Sequence, residues 1–199
     1  RPREGSGPSG AVWAYLWRNS GAKRTGTRSA TYGARRSAKG ASLPGAADRS
    51  VMTLYVEDFA VGDEWTSDEY EVTQDEIIEF AEQYDPQWFH TDPERAAEES
   101  IYGSLIAAGF HTAAISTRLF VDCFLSDTAT LGGKGIDKLR WHEPVRPGDR
   151  LSIRAEILDL DVETDSRGLA DVRIETSNDD GEIAFSMIAL VMFARRDEA

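Results

Sequence analysis

Phe110-His111-Thr112-Ala113-Ala114-Ile115-Ser116-Thr117-Arg118-Leu119-Phe120-Val121-Asp122-Cys123-Phe124-Leu125, preceded by Gly109, is the stretch on which the fold turns. His111, Ser116, Thr117, Arg118 and Asp122 interrupt it too often for a bilayer span, which needs roughly 18 apolar residues in a row. At helical period its apolar residues cover most of the circumference, which predicts one long helix buried on nearly all sides. After it the period changes. Leu151, Ile153, Ala155 and Ile157 alternate with Ser152, Arg154 and Glu156, the mark of a strand with one wet face. Val172 and Ile174 alternate with Arg173 and Glu175 in a second. Asn178-Asp179-Asp180-Gly181 reads as a hairpin turn, and Ile183 to Phe193, apolar on both faces, as a central strand. With Ile136 to Trp141 added, a long buried helix precedes an antiparallel run of strands. The order predicts an α+β domain in which a curved sheet wraps a helix.

Upstream, Leu54 to Val72 reads as a lead-in and a short strand with Gly62-Asp63 as a turn. Thr73 with Glu76 three residues on forms a capping box, and Ile77, Ile78, Ala81 and Tyr84 follow at helical spacing. Pro86 pushes Asp85 out of the α region, so this helix stops at Tyr84-Asp85. Asp92-Pro93 then supplies an N-cap and a proline at the first helical position, opening a short helix to about Glu98. Gly132-Gly133-Lys134-Gly135 lacks the Ser or Thr that follows the lysine of a phosphate loop and reads as a flexible connector.

Charge divides the 199 residues sharply. Residues 1–51 carry ten Lys and Arg against two acids, +8, whereas residues 52–199 carry twelve against 33, −21, for a total of −13. The leader, 1–51, is rich in Gly, Ser, Ala and Arg and has little to bury, which predicts disorder. The abrupt change of composition at Met52 suggests that the native chain begins there and that the leader is an upstream extension without function. Residues 52–199 then form a single domain with only two lysines, Lys134 and Lys138. Its acidic surface would repel nucleic acid and anionic membranes. Carboxylates in excess with lysine nearly absent suit the cytoplasm of a salt-loving organism, where concentrated counterions screen self-repulsion. The lone Cys123 stands among Phe120, Val121, Phe124 and Leu125, which implies a packed thiol and a reducing compartment.

Chemistry is best sought among the three histidines. His142 falls at the end of a strand before Glu143-Pro144 and reads as structural. His111 lies at the start of the long helix, where packing is its expected role. His90 sits in the loop Asp85-Pro86-Gln87-Trp88-Phe89-His90 between two helices, with an acid at the loop's start and Asp92 after it. Loops held between rigid elements are where catalytic groups tend to sit, although from the residues alone a loop histidine that caps the next helix is the favoured reading. No paired Cys/His spacing marks a metal site, and no Gly-x-Ser-x-Gly elbow is present.

Tyr84 to Thr117 resembles the signature region of the MaoC-like dehydratases and (R)-specific enoyl-CoA hydratases: an Asp, four residues, a His, a helix, then a Gly opening the long central helix. The similarity continues through Gly135-Ile136-Asp137-Lys138-Leu139-Arg140-Trp141 and Pro144-Val145-Arg146-Pro147-Gly148-Asp149. It implies the hot-dog fold, with Asp85 and His90 as the catalytic pair, Gly109 as the oxyanion-hole amide and a hydroxyl near Thr117. Trp88, Phe89 and Phe110 are candidate substrate-contacting aromatics. Where better known members read Asp-x-Asn-Pro-x-His, this chain has Pro86 directly after Asp85, Gln87 for the Asn and Trp88 for the Pro.

The residue types suit the implied reaction. Adding water to an enoyl thioester needs a base for the water, a proton for the α-carbon and stabilisation of the enolate oxygen. Asp85 and His90 can share one water. Gly109 lets its backbone amide approach the thioester oxygen, at a helix N-terminus that favours negative charge. The expectation is a homodimeric hydratase, acting on acyl-CoA with no metal or cofactor and giving the (R)-3-hydroxyacyl-CoA. An acyl-CoA thioesterase on the same fold and a non-catalytic partner subunit are the alternatives.

The acidic composition yields a test of its own. At an ionic strength of about 0.01 M the Debye length is about 30 Å, so carboxylate repulsion is felt across the domain. Melting temperature should rise as salt is raised toward molar concentrations; a flat profile would remove the salt-loving reading.

Overall fold

The computed structural model describes residues 53–196; the leader, and with it the expected disorder and start at Met52, lies outside the described residues. Among the described residues no helix is long and apolar enough to cross a membrane. A 3-10 turn, Val56–Asp58, precedes β1 (Glu64–Thr66) and β2 (Tyr70–Glu71). Four helices follow: α1 (Gln74–Tyr84), α2 (Trp88–Thr91), α3 (Pro93–Glu99) and α4 (Gly109–Cys123). The chain then runs through β3 (Thr130–Trp141), β4 (Arg150–Thr164), β5 (Arg167–Ser177) and β6 (Ile183–Ala194).

The local signals act as read. Thr73 Oγ1 accepts from the Glu76 amide at 3.3 Å, and Glu76 Oε1 accepts from the Thr73 amide at 3.1 Å, which starts α1. Asp85 ends it at φ −149° and ψ 68°, outside the α region that the following proline disfavours. Asp92 Oδ1 accepts from the Arg95 amide at 3.0 Å and caps α3, with Pro93 at its first position.

All strand pairs are antiparallel, in the order β1-β4-β5-β6-β3, and β2 also pairs with β4. Alternation decides the faces. Leu151, Ile153, Ala155 and Ile157 of β4, Ala170, Val172 and Ile174 of β5, and Phe185, Met187, Val191 and Phe193 of β6 are buried. Ile115, Leu119 and Phe120 of α4 join the same core, and α4 packs across β4 and β5. The opposite face of the sheet carries a charge ladder in register: Arg154 bonds Glu64 and lies 3.5 Å from Glu156 and from Glu175, and Arg173 pairs with Glu156. Asn178 to Gly181 form the β5–β6 turn, with Gly181 at φ +79°.

The structure differs from the sequence reading in three places. The lead-in makes two short strands, both on the same long partner β4, because β4 extends far enough to pair with each in turn. Gly132-Gly133-Lys134-Gly135 is no connector: it lies inside β3, where register shifts flank Gly132 and Gly135 and Gly132 takes φ +130°. An outer strand tolerates such bulges, and glycine supplies the backbone they need. Finally, α4 is buried on one side only. Phe110, Ala114, Thr117, Arg118, Val121 and Asp122 are exposed, because the sheet and α1 cover the other side. β6 is an inner strand, one place from the middle of the order.

One buried polar contact ties helix to sheet. Ser116 Oγ donates to the Thr112 carbonyl at 2.7 Å, so its 2.7 Å contact with Thr176 Oγ1 has the threonine donating. Both residues are fully buried. Ser116→Ala would strand the Thr176 hydroxyl and should cost about 1–3 kcal/mol in denaturant titration. Adding Thr176→Val should recover part of that loss; a double variant less stable than Ser116→Ala would contradict the assignment.

Candidate functional site

Three separate pieces of chain meet at one cavity of about 400 Å³: the end of α1 with α2, the start of α4, and the end of β3 with the segment after it. Asp85, His90 and Gly109 all line it. The positions of the first two follow from local bonds. Gln87 turns the chain by donating its amide to the Asp85 carbonyl at 2.7 Å, and its side-chain Nε2 donates to Asp85 Oδ1 at 2.8 Å. The loop therefore holds its acid with Gln87, which stands where the resembled signature has Asn. Oδ2 is left facing His90 Nε2 at 3.6 Å.

His90 is buried, and its Nδ1 lies 2.7 Å from the Ile106 carbonyl oxygen. A carbonyl only accepts, so Nδ1 carries the proton and, in the neutral imidazole, Nε2 presents a bare lone pair. Nε2 and Oδ2 are then both acceptors, close together and without a proton between them. Such a pair is arranged to receive the two hydrogens of one hydroxylic molecule.

Gly109 begins α4, so its N–H and that of Phe110 have no partner within the helix. The next two amides, of His111 and Thr112, turn back to the Ala108 carbonyl. The cavity thus faces the positive end of a helix fifteen residues long.

The other sequence candidates divide. Phe89 lines the cavity with its ring edge-on to His90 at 4.5 Å, and Phe110 lines it while two-thirds exposed. Trp88 lies away from the lining, half-buried, with the Arg95 guanidinium 4.5 Å over its ring. Thr117 also lies elsewhere, on the exposed side of α4, its hydroxyl donating to the Ala113 carbonyl at 2.9 Å. Other cavity residues were not read from sequence as part of a site. His142, read as structural, lines the cavity with Nε2 2.8 Å from Ser186 Oγ. Thr112, buried, lines it too, and among the described residues its hydroxyl has no partner. Its signal was available, since it stands one helical turn after Gly109. Trp141 lines the cavity from 32 residues away, and no local pattern announces that.

Cys123 stays a thiol, burial pushing its pKa up to about 11. His111 is apart from the cavity, stacked on Phe80 at 4.7 Å and 9°, with Nδ1 buried and unpartnered among the described residues. Burial pulls its pKa below the ordinary 6.5, against the pull of Glu76.

A long helix cradled by a curved antiparallel sheet is the hot-dog fold. Residues 58–179 match the family described as the MaoC like domain, and the chain belongs to that family. It is similar to a MaoC-like dehydratase from Rhodospirillum rubrum, at 35% identity and a TM-score of 0.64 over 73% of this chain and 99% of that one. It is 35% identical over 97 residues to 3-hydroxyacyl-thioester dehydratase Z of Mycobacterium tuberculosis, covering 48% of this chain and 64% of the relative. The fold alone is shared with Rv0216 of Mycobacterium tuberculosis, which has a double hot-dog fold, at 14% identity and a TM-score of 0.63 over 76% of this chain and 47% of that one.

His111 furnishes the test that separates packing from chemistry. Because its folded pKa is depressed, the unfolded chain takes up the proton first as pH falls, so stability present above about 6.5 is lost below it. His111→Phe keeps the stack and removes the unpartnered nitrogen. Its melting temperature should equal or exceed the parent's and decline less between about pH 6.5 and 5; a steeper decline would contradict the assignment.

Proposed function

We propose that this protein hydrates trans-enoyl thioesters reversibly, giving the (R)-3-hydroxyacyl thioester, with acyl-CoA as the substrate form. The observation that carries this is the Asp85–His90 pair: two acceptors 3.6 Å apart, one with its tautomer set by the Ile106 carbonyl, on the cavity that the first amides of α4 face. Family membership and the dehydratase relative support the reaction class.

In this reading a water donates one hydrogen to Asp85 Oδ2 and one to His90 Nε2, leaving its oxygen free to attack the β-carbon. The attacking water gives one proton to the pair as the carbon–oxygen bond forms, and the π electrons move toward the thioester oxygen. That oxygen accepts from the Gly109 amide, which faces it without moving when charge develops. The pair then returns one proton to the α-carbon, so it ends as it began. Dehydration is the same path reversed. No metal or other cofactor enters. The protein acts in the cytoplasm as a homodimer, and the dimer is supported by β3 at the end of the sheet order and by exposed Leu131 and Ile136 on that strand.

Loss of enoyl absorbance without thiol release is expected of the parent protein with a short enoyl-CoA. Asp85→Asn and His90→Ala should each lower the rate by about a hundredfold or more, and the double variant should be little worse, since either loss ruins one transition state. Stoichiometric thiol release would make the protein a thioesterase instead. Parent activity equal to buffer across a panel of enoyl-CoA esters would leave a non-catalytic subunit.

A further inference from the structure

Gly109 invites the explanation that a ligand needs the space, yet the space is already taken. The indole of Trp141, the last residue of β3, covers the Gly109 Cα so closely that a Cβ there would stand 2.6 Å from Cε2, 2.8 Å from Nε1 and 3.0 Å from Cζ2. Gly109 is not in the left-handed region, so this contact, and no backbone angle, is what excludes a side chain. Independently, the indole Nε1–H donates to the Gly109 carbonyl oxygen at 2.7 Å. Phe110 meets the same indole edge-on, with ring centroids 5.6 Å apart at 78°.

The carbonyl that receives this bond belongs to the same planar peptide as the Phe110 N–H. Fixing one end of that plane fixes the direction of the other. A hydrogen bond at the carbonyl also polarises the peptide, so the N–H beyond it becomes a stronger donor. The Phe110 N–H is the second amide of α4 and, like that of Gly109, has no partner within the helix. Trp141 itself is half exposed, so the directional bond and the bare glycine surface are what hold its ring against the helix.

We propose that Trp141 is the positioning residue of the thioester-oxygen site: its indole N–H clamps the Gly109–Phe110 peptide so that the first two amides of α4 converge on one oxygen. The inference rests on the hydration reading of the site. Gly109 and Trp141 form one unit in it, the glycine being required by the indole and the indole being required by the amides.

Trp141→Phe keeps an aromatic wall and deletes the donor. It should lower kcat for enoyl-CoA hydration by about ten- to a hundredfold while KM moves by less than about threefold, the pattern of an interaction felt in the transition state. Gly109→Ala, which pushes the indole away, should show a similar loss, and the double variant should fall well short of the product of the two. A second readout needs no turnover. Infrared difference spectra of bound butyryl-CoA, isotopically labelled at the thioester carbon, should show the carbonyl band at lower frequency than in solution for the parent, and shifted back toward the free position in folded Trp141→Phe. Parent protein that shows this pattern but hydrates nothing would sink the hydration reading and leave the clamp standing. An unshifted parent band overturns the clamp, as does a Trp141→Phe variant with the parent's band and kcat.

Discussion

The hydrogen bond from His90 Nδ1 to the Ile106 carbonyl holds the site together. It is buried, it joins α2 to the segment leading into α4, and it spends the imidazole's one donor on the protein. What remains at Nε2 is a lone pair. That choice makes Asp85 and His90 two neighbouring acceptors instead of a donor–acceptor pair, and it is why their 3.6 Å separation is meaningful. The same bond is reinforced by the Ile106 amide, which donates to the Phe89 carbonyl at 3.2 Å, so the two segments are stitched in both directions. The next amide, that of Ala107, donates to the Val145 carbonyl at 2.8 Å and ties the approach to α4 to the segment after β3. Imidazole and helix N-terminus are thereby set by contacts to the backbone, while the acid is held by Gln87.

Much of this was legible in the sequence. The capping box at Thr73, the stop imposed by Pro86 and the cap at Asp92 act through residues three or four apart, and each appears where it was read. Alternation in β4 and β5 gave the faces of the sheet, since period two leaves no freedom once one face is buried. Illegible parts depend on long-range contact. Gly132 to Gly135 has loop composition but is paired by β6, whose hydrogen bonds outweigh the cost of three glycines in a strand. The open side of α4 could not be inferred from an apolar circumference, because composition does not say how much sheet is available to cover it.

The site shows the same division. The resemblance of Tyr84 to Thr117 to the dehydratase signature singled out Asp85, His90 and Gly109, and the structure gathers them on one cavity. Thr117 was placed by analogy of position, but on a helix a position decides the face, and this one points away. Trp141 came from another element altogether, 32 residues from the glycine it covers. Its presence changes the meaning of that glycine, which makes room for a side chain of the protein itself.

The central claim is the tautomer, because the shared water and the direction of proton transfer both follow from it. Nitrogen-15 NMR of the His90 ring, recorded at about pH 8 where an ordinary imidazole is neutral, reads it directly. A proton-bearing Nδ1 with an unprotonated Nε2 is the predicted result; a proton on Nε2, donated to Asp85, would contradict it.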